Sequence, residues 1–148
     1  MRKVLLPLLT VAALTGCTSG QVAPCTLMHM DSAVSVIWRP ADFEATGGAT
    51  IRVCVDGACE ERASGDPGDP IGRVSVRIPD DVRARELAVA LTVTPVDGGR
   101  PLRDGAQARP AEERPNGPGC APVVRTASFR ADPVRGLISP EGLVLQGR

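Results

Sequence analysis

Short runs that alternate apolar and polar residues with a period of two recur along this chain, and they restrict its fold more than any other feature. "GRVSVRI" (72–78) puts Val74, Val76 and Ile78 on one face and Arg73, Ser75 and Arg77 on the other. "ELAVALTVT" (86–94) repeats the pattern with Leu87, Val89, Leu91 and Val93, "TIRVCV" (50–55) with Ile51, Val53 and Val55, and "AVSVIW" (33–38) with Val34, Val36 and Trp38. Alternation gives a strand one dry face and one wet face, whereas a helix would scatter the same residues around its surface. "PVVRTASFR" (122–130) reads as a longer, less regular strand, 102–108 as a weak one and "LVLQ" (143–146) as a short last one. "PDDVRARELAVAL" admits a helix over its charged first half, but its second half alternates and is rich in Val and Thr, so a strand is expected there.

Turn signals separate the runs: "TGG" at 46–48, "SGDPGDP" at 64–70, "DGG" at 97–99, "PNGPG" at 115–119 and "SPEG" at 139–142. The stretch 95–119 is otherwise expected to be loop. About seven short strands separated by such turns imply an all-β fold, an antiparallel sandwich of immunoglobulin-like architecture. The Cys…Trp…Cys spacing of a true immunoglobulin domain is missing, so the likeness is one of architecture, and architecture does not give function. Trp38, Phe43 and Phe129 are the only aromatic residues, so the core must be built mainly from Val, Leu, Ile and Ala.

Cysteine placement adds a second constraint. "VCVDGACE" (53–60) reads as a β-hairpin turning at Asp56-Gly57, because a two-residue type I′ turn needs positive φ at both positions. That register sets Val55 against Ala58, Cys54 against Cys59 and Arg52 against Glu61. The 54/59 pair is the non-hydrogen-bonded kind, whose Cα atoms lie about 4.5 Å apart, within reach of a disulfide. Glu60 falls on the core side beside Val53, as suits an edge strand guarded against aggregation. A C-x₄-C pair as a redox couple or zinc site is the chemical alternative, but redox work favours C-x-x-C and zinc needs two further ligands. By elimination, Cys25 is expected to pair with Cys120.

The fifth cysteine has a different setting. Arg2 and Lys3 precede an apolar run over 4–13, which ends in "LTGC" (14–17). A charged start, a short apolar run and small residues before a cut describe a secretory signal peptide, and the run is far shorter than the roughly 20 residues of a membrane-spanning helix. "LTGC" resembles the lipobox of bacterial lipoproteins. The resemblance implies that Cys17 receives a diacylglyceryl group, that residues 1–16 are removed, and that Cys17 becomes the first residue of the mature chain. Residues 17–24 would then form a lipidated tether and 25–148 the sandwich domain. "PNGPGCAP" (115–122) is similar to a segment of uncharacterised actinobacterial secreted lipoproteins, and carries no implied activity. The single lysine against sixteen arginines fits a GC-rich genome.

Charge and motifs exclude several classes of function. The mature chain would carry 15 basic and 17 acidic residues, interspersed, with no basic patch or aromatic ladder, so nucleic acid is not an expected partner. His29 is the only histidine, and neither GxSxG, GxxxxGK[ST] nor GxGxxG occurs, so no catalytic residue and no cofactor is expected. "DPGDP" (66–70) offers calcium too few oxygen ligands. "MHMD" (28–31) carries thioethers and an imidazole suited to copper, with Met28, His29 and Met30 as the ligand set; as an extended segment it would put His29 opposite the two methionines, which would otherwise fill gaps in the core. The expectation is therefore a non-enzymatic binding or structural module, held by lipid on the extracytoplasmic face of the bacterial cell membrane. Its partner would be an envelope protein or a surface polymer. The alternatives are a copper-binding lipoprotein and an inhibitor or modulator that uses the 100–119 loop.

Overall fold

The computed structural model describes residues 24–82 and 86–138. The signal peptide expected at 1–16, Cys17, the expected tether as far as 23, and the turn at 139–142 and strand at 143–146 that were expected near the end of the chain lie outside the described residues. Nine strands are formed: β1 (Ala33–Trp38), β2 (Ala49–Val55), β3 (Ala58–Ala63), β4 (Gly72–Arg77), β5 (Leu87–Pro95), β6 (Leu102–Ala108), β7 (Ala111–Glu113), β8 (Val124–Asp132) and β9 (Gly136–Ile138). They make two sheets, one ordered β4-β1-β8-β7 with β9 also on β8, the other β3-β2-β5-β6. The sheets stack as a sandwich. The short strands β7 and β9 take the number above the seven expected.

The alternating residues meet between the sheets. Val34, Val36, Trp38, Val74 and Val76 from one sheet, and Ile51, Val53, Val55, Leu87, Val89, Leu91 and Val93 from the other, are all buried. Each such side chain contributes about 1.5–3 kcal/mol by leaving water. The hairpin register is as expected, with Cys54 opposite Cys59 and Arg52 opposite Glu61. Glu60 lies opposite Val53 but is exposed, as is all of β3, because the core does not reach under this edge strand.

One pairing departs from the antiparallel rule. β1 runs parallel to β8, with Val34 beside Ala127 and Val36 beside Phe129. The Cys25–Cys120 disulfide joins the two segments that lead into these strands at the end where both begin.

The turn after β1 was not legible in the sequence. Pro40–Thr46 forms a 3-10 helix with Pro in its first turn, Phe43 buried beneath it and Gly47 (φ 66°) closing it. Trp38, at the end of β1, donates its indole N–H to the Ser64 carbonyl at 2.8 Å. It packs directly on Gly72, where a Cβ would overlap the indole ring. At the opposite edge Asp104 of β6 accepts the Leu137 N–H at 2.7 Å, so β9 ties one sheet to the other.

Strand directions sort the connections onto two ends. Residues 24–32, the 56–57 turn, 78–82 and 109–123 gather where the chain enters. Residues 39–48, 64–71, 96–101 and 133–135 gather at the far end.

Candidate functional site

At the entry end the polypeptide is held by one buried side chain. Asn116 (6% exposed) accepts from the Met28 backbone N–H at 2.7 Å and from the Thr26 hydroxyl at 2.8 Å, and its amide nitrogen donates to the Met28 and Ala121 carbonyls. All of its hydrogen-bonding capacity is used, three bonds on backbone groups and one on the Thr26 hydroxyl. The Cys25–Cys120 bridge lies beside it, with Cα atoms 5.7 Å apart. Around the pair opens a groove of about 500 Å³, lined by Pro24, Thr26, Pro115, Asn116, Pro118 and Cys120 among others, without a charged side chain. Sequence reasoning read "PNGPG" as a turn, which it is, with Gly117 N–H bonded to the Arg114 carbonyl. It did not show that Asn116 faces inward. The signal available was an asparagine followed by glycine and flanked by two prolines, beside a bridged cysteine.

The copper candidates sit at this end. The backbone of Met28 is pinned by Asn116, yet its side chain is 56% exposed, so it does not fill a core gap as expected. The His29 side chain is 87% exposed, with Nε2 3.6 Å from Asp31, whose other oxygen accepts from Arg77 at 2.6 Å. Met30 is partly buried. Among the described residues no three His, Cys, Asp or Glu side chains are grouped closely enough to hold a metal ion.

The Cys54–Cys59 bridge spans the hairpin on the outer face of its sheet, with Cα atoms 4.0 Å apart, shorter than the roughly 4.5 Å of an ordinary non-hydrogen-bonded pair. Its neighbours along that face are Ala90 and Gly105, which leave it uncovered. Two disulfides belong to an oxidising compartment outside the cytoplasm. No helix among the described residues is long and apolar enough to cross a membrane.

Within 100–119, the alternative contact loop, β6 forms where the weak strand was expected and β7 takes 111–113, while 114–119 remains turn and loop. At the far end, Ile71, Val96 and Val134 stand on three separate loops, 52%, 68% and 82% exposed. The 133–135 turn is shaped by Asp132, which accepts the backbone N–H groups of Val134 and Arg135 at 3.0 and 2.9 Å. The Arg135 N–H is the main cause holding the Asp132 carboxyl below the usual carboxylate range; burial opposes it, and the Val134 N–H and Arg135 guanidinium reinforce it. The loop at 96 is pinned by the Val96 N–H on the Gly48 carbonyl at 3.0 Å. These loops therefore present aliphatic side chains from a fixed backbone.

Comparison with protein-family models, with curated proteins and with solved structures finds no match.

Proposed function

We propose that this chain is a lipid-anchored, non-enzymatic contact module on the extracytoplasmic face of the bacterial cell membrane, tethered through Cys17 and meeting an envelope protein or surface polymer with its far end. The observation that carries the reading is the placement of Ile71, Val96 and Val134. Three branched aliphatic side chains project from separate loops at the end opposite the point where the chain enters. An isolated exposed aliphatic residue needs no explanation; three on loops at one end of a sandwich, the end that a tether at residue 24 would turn outward, are apolar side chains available to a contact surface. The tether itself follows from "LTGC" and the two-chain anchoring that a diacylated cysteine gives.

A photo-crosslinking residue placed at Val134 or Val96 in the native envelope should give a discrete adduct to one envelope component. The same residue at Arg103, on the outer face of β6, should give none. Equal labelling from both places, or a discrete adduct only from Arg103, would refute the far-end reading. Turnover of any substrate by the purified domain would refute the non-enzymatic one.

A further inference from the structure

We propose that the entry end of the sandwich rests on the bilayer itself, with Leu27 inserted among the lipids and the proline-lined groove lying over them. The inference rests on the lipid anchor at Cys17. Leu27 is 100% exposed although its neighbours on both sides are fixed, Thr26 through its hydroxyl and Met28 through both backbone groups, on the buried Asn116. The backbone therefore holds this leucine outward. Met28 (56% exposed) and Val123 (38% exposed) extend the apolar surface around the same hub. The groove beside them has no charged lining residue.

The occupant follows from the length of chain between this surface and the anchor. Pro24 lines the groove, and only residues 18–24 separate Cys25 from Cys17. Seven residues reach at most about 25 Å when fully extended. A surface so close to the acyl chains meets the membrane before it meets a partner protein. Among the described residues, the exposed arginines of this end are each paired with a carboxylate, Arg77 with Asp31, Arg109 with Glu86 and Arg114 with Glu112, so the attraction is apolar, and it should not depend on anionic lipid or on salt.

The test uses the mature lipidated protein in phosphatidylcholine vesicles, with a photo-crosslinking residue at position 27 in one sample and at position 134 in another. Floating vesicles should carry the protein in both. Lipid adducts should form at 27 in about tenfold excess over 134, as expected for apolar burial at the interface. The excess should persist when phosphatidylglycerol is added or salt is raised. Protein that floats but labels lipid no better at 27 than at 134 overturns the inference and leaves the anchor standing. Protein that does not float overturns the anchor, and the inference with it. In native membranes, an adduct from 27 to a protein in place of lipid also overturns it.

Discussion

The two ends of the sandwich are held by different means. Two segments of the entry end, 24–32 and 109–123, add no residue to the apolar core. They are joined by the Cys25–Cys120 bridge and by three hydrogen bonds between Asn116 and Thr26 or Met28, while a fourth, to Ala121, closes within 109–123. The far end has no covalent link. Its loops are set on Trp38 and Phe43, both buried, and on hydrogen bonds from backbone N–H groups, Val96 to Gly48 between loops and Val134 and Arg135 to Asp132 within one turn. A small aliphatic core fixes loops that grow directly from it. Segments that leave it for a dozen residues need a staple, and exported domains supply one with disulfides.

The largest expected effect falls on the staple. Cys120→Ala releases a link between residues 95 apart in sequence, for which the loop-closure relation gives about 4–5 kcal/mol. Cys59→Ala opens a bridge of separation 5, for which the same relation gives about 2 kcal/mol. Urea unfolding followed by Trp38 fluorescence should rank them in that order; equal losses would mean that the entry end is held without its bridge. Next comes the far end. Trp38→Ala removes the largest buried side chain and should cost about 3–5 kcal/mol. Trp38→Phe keeps most of the volume and should cost less, since it mainly loses the bond to Ser64, worth about 1 kcal/mol. Circular dichroism melts would measure both.

A smaller effect is expected at Asn116. Asn116→Ala strands the Met28 N–H and carbonyl and should cost about 1–3 kcal/mol, with faster amide exchange at Met28 while the amides of β5 keep their protection. Uniform loss of protection across β5 would show the entry end to be continuous with the core. The smallest belongs to Asp132. Its carboxyl is held below the usual carboxylate range by the Arg135 N–H, so its contribution is complete above the unfolded-state pKa and fades as pH falls through the lowered folded-state value. Asp132→Asn should therefore cost about 0.5–1 kcal/mol at neutral pH. The gap to the wild type should close in strong acid, as denaturant midpoints across pH would record.

What the sequence made legible follows the same division. Where burial acts on one face, period two writes itself into the residues, so β1, β2, β4, β5 and even the weakly patterned β6 fall where expected. The 54/59 pairing was legible because Asp56-Gly57 fixes the register locally. β7 and β9 were not, since three residues carry too little pattern and exist because β8 offers them an edge. The parallel β1–β8 pair is a contact of long sequence separation that no local pattern encodes. Asn116 looked like a turn residue because its partners, Thr26 and Met28, lie about ninety residues away in sequence. Within 100–119 only β7 was unforeseen, drawn from a turn-rich stretch onto the open edge of β8.

The proposed anchor at Cys17 would give all of this a direction, because it would decide which end faces the membrane. Mass spectrometry of the membrane-extracted mature protein tests that most directly. The amino-terminal peptide should begin at Cys17 and carry the mass of a diacylglyceryl group on its sulfur. A peptide that begins elsewhere, or an unmodified Cys17 thiol, would contradict the account.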